Sequence, residues 1–197
     1  MKIVVLKNGK IVSSELYDWN ENTKTFSTNS SGLVLDFGEL TGVTIKCGNF
    51  CTINSSDSCT INSGDFCTIN SRNSCTINSG YSCTINSGYS CTINSGFICT
   101  INSGSVCTIK CGDYCTIRTY WNTEIVAGKN CILNYIYDGI CECYKLPEQK
   151  KCKILKSGKL EQIQEKTETE LQIDSLKKTI EEANAKVIEL QKQIQKK

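Results

Sequence analysis

The sequence predicts an all-β parallel β-solenoid with two octads, sixteen residues, in each coil, followed by a C-terminal α-helix. Three observations carry this prediction: an eight-residue repeat that begins at Val43, a sixteen-residue modulation of its bulky positions, and a heptad pattern after Pro147. An internal repeat decides the fold class before single motifs are weighed, because each repeat is one structural unit that must stack on its neighbours.

The composition of the chain excludes several classes of function. Its 197 residues include no histidine, one proline and 15 cysteines, and the formal net charge is only +2. Without imidazole, serine-histidine and cysteine-histidine catalysis and most zinc enzymes are excluded. The low net charge gives no sign of a clustered basic surface, so we expect neither nucleic acid nor membrane as a partner. We therefore expect a non-enzymatic protein without a cofactor.

The beginning of the chain predicts where the protein works. An apolar run of four residues before Lys7 is too short for the core of a signal peptide. No later segment approaches the ~20 apolar residues of a membrane span. We expect a cytoplasmic protein, or one in the virion or host cytoplasm if a phage encodes it, with its cysteines reduced.

Residues 1–42 predict an N-terminal β cap. An apolar stretch before Lys7 and another after Lys10 flank Asn8-Gly9, which is the signature of a hairpin turn. A further apolar stretch, 33–37, leads into the first octad. Because an open solenoid end would expose a strand edge to other chains, we interpret this segment as a cap.

Residues 43–134 form the predicted solenoid, whose repeating unit is Cys-Thr-Ile-Asn-Ser-Gly-x-x. Thr occupies the second position and Ile the third in all ten units from Thr44 to Ile117. This period-two alternation with β-branched residues predicts one short strand in each octad. Cys and Ile point inward with Ser at the corner, and Thr and Asn point to solvent. Glycine at position six is expected to turn the chain with a positive φ.

The inward positions in this prediction are Cys51, Cys59, Cys67, Cys75, Cys83, Cys91, Cys99, Cys107 and Cys115, with Ile53, Ile61, Ile69, Ile77, Ile85, Ile93, Ile101, Ile109 and Ile117. The outward positions include Thr60, Thr68, Thr76, Thr84 and Thr92, with Asn62, Asn70, Asn78, Asn86 and Asn94.

Bulky residues at position eight indicate how many octads form a coil. Phe50, Phe66 and Tyr114 lie on one sixteen-residue series, while serine dominates the other. The two cysteines at position five, Cys47 and Cys111, are 64 residues apart and fall on one side as well. Two octads per coil predict five or six coils and a rod roughly 25 Å long at ~4.8 Å per strand.

Residues 135–155 predict a C-terminal cap. The aromatic residues around it, Trp121, Tyr135, Tyr137 and Tyr144, are more typical of cap core than of a ligand platform. Residues 156–197 predict a helix and a coiled coil, because apolar residues alternate at spacings of three and four. Its seam consists of Ile173, Leu176, Ile180, Ala183, Val187, Leu190 and Ile194.

The seam favours a parallel dimer, since β-branched residues occupy one core position and Leu or Ala the other. Ala183 reduces the apolar area of the seam, and the flanking positions carry no acid to pair with the lysines. The alternative is a helix that folds back onto its own solenoid. Lateral or end-to-end association of rods is a further open alternative.

The cysteines are expected to pack rather than to bind a metal. Repeating thiols suit soft ions such as Cu(I) or Zn(II), but the rod holds no Cys-x-x-Cys pair and buried thiols behave as small hydrophobes. Cys141, Cys143 and Cys152 form a looser cluster that would need a fourth ligand for zinc. Stacked thiols point the same way, which opposes the disulfide dihedral.

Acidic side chains recur in the rod at position seven. They are Asp57, Asp65 and Asp113, and Asp57 falls on the other side from the remaining two. We expect them to mark turns rather than to form a catalytic carboxylate pair.

The segment Gly-Tyr-Ser-Cys-Thr-Ile-Asn-Ser, 80–87, resembles the octads of bacterial ice-nucleation proteins, which also build sixteen-residue coils. It is similar as well to the Cys-Thr-hydrophobe octad proteins of phages and bacteria. The resemblance covers residues 43–134 and implies a solenoid architecture. This chain departs from the Thr-x-Thr pattern of the ice-nucleation surface, because Asn stands where the second Thr should be.

Two functions from different classes follow. The first is a structural, self-assembling protein, a rigid rod whose copies associate through the C-terminal helix. The alternative is a binding module whose flat Thr and Asn ladders recognise a host protein, a glycan or ice. Electron microscopy of the purified protein distinguishes them, since filaments favour assembly and discrete particles favour a binding module.

Overall fold

The structure, a computed structural model, describes residues 3–137, 140–164 and 168–194. The chain divides into two compact units, Met1–Ile163 and Gln164–Lys197. The first unit is a parallel β-solenoid and the second holds a single α-helix, α1, Glu168–Ile194. The predicted fold class is confirmed.

Two ten-stranded sheets form the solenoid. Sheet A contains β1 Val4–Lys7, β2 Lys10–Ile11, β5 Leu33–Asp36, β7 Thr52–Asn54, β9 Thr68–Asn70, β11 Thr84–Asn86, β13 Thr100–Asn102, β15 Thr116–Thr119, β17 Ile132–Tyr137 and β18 Ile140–Lys145. Sheet B contains β3 Asp18–Asn20, β4 Thr25–Ser27, β6 Thr44–Lys46, β8 Thr60–Asn62, β10 Thr76–Ser79, β12 Thr92–Ser95, β14 Thr108–Cys111, β16 Glu124–Ala127, β19 Lys151–Ile154 and β20 Leu160–Gln162. A short 3-10 helix, Ser14–Leu16, precedes β3.

Strands within each sheet pair in parallel with their equivalents sixteen residues away. Ile85, for example, lies between Ile69 and Ile101. Consecutive octads alternate between the sheets, so two octads make one coil, as predicted. Seven strands of each sheet, β4 to β16 and β5 to β17, stack in parallel and give seven coils.

The first coil, which brings the count to seven, comes from a segment that lacks the octad pattern. β4 pairs in parallel with β6, and β5 pairs in parallel with β7, so Phe26 stacks on Ile45 and Leu35 on Ile53. The expected count of five or six coils is therefore too low. The residue offsets are 19 and 18 instead of 16, which is why the repeat does not reveal this coil. The stack begins within the segment expected to be only a cap.

Antiparallel strands close both ends of the parallel stack. At the N-terminal end β1 pairs with β5 and β3 pairs with β4. The predicted turn at Asn8-Gly9, with φ of 51° and 75°, joins β1 to β2. At the C-terminal end β18 pairs with β17 and β19 pairs with β16. This arrangement covers the parallel edges, which would otherwise recruit other chains.

The helix begins at Glu168, twelve residues later than the expected start at 156. Residues before it form β19 and β20, which extend sheet B. Cys152 and Ile154 alternate inward and are 1 % exposed, and this period-two burial accounts for strand rather than helix.

The core is a narrow double layer of stacked side chains. Every Cys at position one and every Ile at position three from Cys51 to Ile117 is at most 1 % exposed. The Thr and Asn side chains between them lie on the outer faces, half-buried or exposed. Tyr135 and Phe37, each 1 % exposed, fill the two ends of one interior corner.

The left-handed residue of each corner stands at position eight, not at the glycine of position six. From Phe50 to Asn130, all eleven residues at position eight have φ between 53° and 62°, and they include the β-branched Ile98 and Val106. The expected role of the glycines is therefore wrong. A Cβ at Gly104 would lie 2.8 Å from backbone atoms of Gly88 and Tyr89, so glycine is needed for close stacking there. Position six of other coils, in contrast, holds Ser56, Arg72 and Tyr120.

The acidic and amide side chains at position seven hold successive corners together. The Asp65 Oδ1 accepts the backbone N–H of Tyr81 at 2.8 Å, and the Asp113 Oδ1 accepts that of Lys129 at 2.8 Å. Asp57 does the same for Asn73 at 2.9 Å in the other corner. These groups thus belong to the turns, where they satisfy backbone donors of the next coil.

Ile85→Asp tests which side of the strand faces the core. The change buries an unpaired charge at mid-stack and should lower the free energy of unfolding by about 4 kcal/mol or more. Thr84→Asp, its neighbour on the outer face, should change it by about 0.5 kcal/mol or less. Urea unfolding followed by circular dichroism measures both. Greater sensitivity at Thr84 would reverse the inward and outward assignments.

Gly104→Ala and Ile98→Asn test the corner. The added methyl group meets rigid backbone, so Gly104→Ala should destabilise the protein by about 1–3 kcal/mol. Ile98 is 48 % exposed, and relief of its left-handed strain by Asn should stabilise the protein by about 1 kcal/mol. Thermal unfolding compares both with the unmodified protein. Tolerance at Gly104 together with loss at Ile98 would contradict this account.

Candidate functional sites: thiol rows, polar faces and the helix

Two rows of stacked thiols run through the core. Row A consists of Cys51, Cys67, Cys83, Cys99, Cys115 and Cys131, and row B of Cys59, Cys75, Cys91 and Cys107. In row A the Cys83 Sγ accepts the backbone N–H of Cys67 at 3.4 Å and donates to the Gly64 carbonyl at 3.4 Å. The thiols thus have backbone partners and pack as satisfied small side chains.

Fourteen of the cysteines are described, and all are free thiols. Burial raises the pKa of the Cys131 and Cys152 thiols. A raised pKa keeps these thiols neutral and slow to react at neutral pH. The burial of the row cysteines and their backbone partners support the expected packing role for the rows.

One corner gathers more sulfur than the rows require. Cys111 ends β14 at position five, where Ser63, Ser79 and Ser95 stand in the preceding coils of the same column. The sulfur atoms of Cys111, Cys115 and Cys131 lie within 4.8 Å of one another, and all three residues are buried. We call this group the three-sulfur cluster. Sequence reasoning noted Cys111 as unusual but did not place it beside row A.

The looser group of cysteines expected near the C-terminal cap is not brought together among the described residues. Cys143 is exposed on β18 of sheet A, whereas Cys152 is buried on β19 of sheet B. The side chain of Cys141 lies outside the described residues. The zinc site considered for this group has no support in the described geometry.

Amide side chains form hydrogen-bonded ladders on both polar faces. On sheet A the Asn70 Nδ2 donates to the Asn54 Oδ1, and Asn86 donates to Asn70, each at 2.9 Å. On sheet B the Asn78 Nδ2 donates to the Asn62 Oδ1 at 2.9 Å. The amide groups in each ladder thus bond to one another along the stack, and this fixes their orientation. The faces are regular at the coil spacing.

An open groove of about 690 Å³ follows the Asn ladder of sheet B. Its lining includes Asn78, Asn94 and the corner glycines, and it ends at Lys110, Cys111 and Gln149. Cys111 of the three-sulfur cluster therefore borders a surface groove, although it is only 5 % exposed.

Aromatic rings line the corner that leads from sheet B to sheet A. Phe50 and Phe66 stack with centroids 5.0 Å apart, and Phe66 meets Tyr81 edge-on at 5.2 Å. Tyr81 and Phe97, which stand at position seven, continue the row of ring contacts that Phe50 and Phe66 form at position eight. The sequence shows the enrichment at position eight, but the contribution of position seven depends on the corner geometry.

The expected aromatic cap core is formed only in part. Tyr135 is 1 % exposed and Tyr144 is half-buried, but Trp121 is 39 % exposed. The side chain of Tyr137 lies outside the described residues. Burial is therefore concentrated in the one tyrosine that continues the interior column of position five.

The helix α1 carries exposed apolar side chains at the predicted seam. Ile173, Leu176, Ile180 and Val187 are 45 %, 63 %, 58 % and 50 % exposed, and Ala183 is exposed as well. Ile188, outside the seam, is 52 % exposed. The side chains of Leu190 and Ile194 lie outside the described residues. Among the described residues, no helix combines the length and apolar character needed to cross a membrane.

No protein-family model, curated protein or solved structure matches this chain.

Native-state thiol labelling tests the packing role of the rows. Cys143 is exposed, so it should react with a thiol reagent well before Cys75, Cys83 and Cys91. Cys152, which the sequence placed in one cluster with Cys143, is buried and should react with the slow set. Mass spectrometry of digested protein after timed labelling gives the order. Rapid labelling of the central cysteines would contradict the packing role.

Proposed function

We propose that the protein is a non-enzymatic structural protein that self-associates through its C-terminal helix. The observation that carries the proposal is the exposed heptad seam of α1, with Ile173, Leu176, Ile180 and Val187 each 45–63 % exposed. The partner is a second copy of this chain, because the seam matches the core positions of a two-stranded coiled coil.

The energetics favour a partner for this helix. The 27-residue helix draws most of its stability from packing of an apolar face rather than from helix propensity. Complete burial of one Ile, Leu or Val side chain contributes about 1.5–3 kcal/mol, and several such positions align on one face. Association therefore both buries the seam and stabilises the helix.

The solenoid supplies a rigid body for such an assembly. Its coils are linked by parallel ladders in both sheets, and antiparallel strands cover both ends of the stack. The ends are therefore protected against indiscriminate strand pairing, and association is directed to the helix.

The proposed setting is a reducing compartment, the cytoplasm of a bacterium or of a phage-infected cell. The free thiols of the described cysteines support this setting. The resemblance of the octads to those of phage and bacterial proteins supports it as well.

Removal of residues 164–197 should convert an oligomer into a monomer. The cut must follow Ile163, because β20 belongs to the solenoid unit. Light scattering coupled to size exclusion gives the mass of both proteins, and circular dichroism shows whether the strands persist. A full-length chain that is monomeric at micromolar concentration would overturn the proposal.

A matched pair of point variants separates the seam from the rest of the helix. Ile180→Asp places a charge in the seam and should shift the mass towards monomer. Ser175→Asp adds the same charge at an exposed position outside the seam and should leave the mass unchanged. An equal effect of both changes would contradict association through the seam.

A binding module remains the second candidate, supported by the groove along the Asn ladder of sheet B. Its regular amides suit a repetitive target such as a glycan or ice. Electron microscopy of the purified full-length protein distinguishes the two functions. Discrete monomeric particles favour the binding module, whereas paired or filamentous rods favour assembly.

A further inference from the structure

The three-sulfur cluster lies where three elements meet at one corner of the stack. Cys111 ends β14, Cys115 directly precedes β15, and Cys131 directly precedes β17. Their sulfur atoms are within 4.8 Å of one another, and the residues are 5 %, 1 % and 0 % exposed. Three sulfurs bound at about 2.3 Å to one ion in a plane would be about 4.0 Å apart. A small contraction of the cluster therefore suffices to bind an ion.

Packing alone does not require a thiol at position 111. The same column holds serine at positions 63, 79 and 95, and the backbone pairing there is the same. Serine thus occupies this corner in three consecutive coils, although its hydroxyl has no hydrogen-bond partner there among the described residues. What Cys111 adds is a third sulfur beside two stacked thiols of row A.

The same relation occurs a second time in the chain. Cys47, Cys51 and Cys67 repeat the spacing Cys-x3-Cys-x15-Cys of the three-sulfur cluster, 64 residues earlier. Hydrogen bonds with Cys51 and Cys67, followed by burial, raise the pKa of Cys47. In the described structure, the two cysteines at position five of this column, Cys47 and Cys111, thus each stand beside two thiols of row A.

The surroundings of the cluster favour thiolate ligands once an ion is present. The Cys131 Sγ accepts the backbone N–H of Cys115 at 3.3 Å, and the Cys115 Sγ accepts that of Cys99 at 3.4 Å. Such donors stabilise negative charge on sulfur and orient the ligands. The hydrogen bond with Cys111, and then burial, raise the pKa of Cys115 to about 11 against the opposing contact with Cys99. Without an ion the Cys115 thiol is therefore neutral.

The donor set selects the kind of ion. The chain contains no histidine, and among the described residues no fourth cysteine or carboxylate joins the three sulfurs. Zinc in closed protein sites takes four ligands in a tetrahedron, which this corner does not supply. Thiolates select Cu(I), a soft ion that is satisfied by fewer ligands. The groove that ends at Cys111 provides an entry path from the surface.

We propose that Cys111, Cys115 and Cys131 form a buried three-coordinate thiolate site for Cu(I). Binding forms three Cu–S bonds and releases up to three thiol protons to solvent, and the oxidation state of the metal does not change. The affinity therefore rises with pH. Cys111, which borders the groove, is the entry ligand. The site is independent of association through the helix.

Titration of the reduced full-length protein with Cu(I) under anaerobic conditions tests the site. Cys47→Ser serves as the background, because it removes the second group of the same spacing. This protein should bind one tight Cu(I) in competition with a chromogenic Cu(I) chelator. X-ray absorption should show three sulfur ligands at about 2.3 Å, and Zn(II) should not displace the ion.

Cys111→Ser and Cys107→Ser, each in that background, form the matched pair. Serine is native to the column of Cys111, so its variant should fold, and its affinity for Cu(I) should fall at least 100-fold. Cys107→Ser removes a buried thiol of row B and should leave the affinity unchanged. Cu(I) should raise the unfolding temperature of the background and of Cys107→Ser but not of Cys111→Ser. Equal affinities, or equal losses, in the two variants would overturn the proposal.

Discussion

The backbone of each solenoid coil lies directly on the backbone of the coil before it, and all other features depend on this stacking. The Thr84 N–H donates to the Cys67 carbonyl, and the Thr100 N–H donates to the Cys83 carbonyl, each at 2.9 Å. With this spacing fixed, every side chain meets its own equivalent. Ile must fit on Ile, thiol on thiol and amide on amide, and position six leaves no room for a Cβ in most coils.

This stacking outweighs several local penalties. The hydroxyls of Ser63, Ser79 and Ser95 are buried without a hydrogen-bond partner among the described residues. A buried hydroxyl without a partner costs about 1–3 kcal/mol. Residues at position eight adopt the left-handed conformation even when they are β-branched, at about 1–2 kcal/mol each. The corners are therefore fixed by the ladders on either side rather than by local preference.

The repeat made the architecture predictable, whereas the roles of its corner residues became clear only in the three-dimensional structure. Alternation of Cys-Thr-Ile-Asn predicted the inward and outward faces, and the spacing of Phe50, Phe66 and Tyr114 predicted two octads per coil. Local preference favours glycine as the left-handed residue of the corner. The structure places that residue at position eight instead, and glycine at position six allows the close approach of coils. The first coil was missed since its offsets break the period. Cys111 stood out in the sequence, but its approach to Cys131 depends on how consecutive coils overlie one another.

The near-identity of the middle coils also has an evolutionary aspect. Ile69, Ile85 and Ile101 occupy equivalent environments, so a chain with one sixteen-residue unit more or fewer would meet the same partners at every new contact. The core of the stack changes at its ends, where Phe26 and Phe37 close one side and Tyr135 the other. Gene duplication or loss within the repeats would change the length of the rod by ~4.8 Å per coil without disturbing either end. Rod length is thus a trait that selection can adjust in uniform steps.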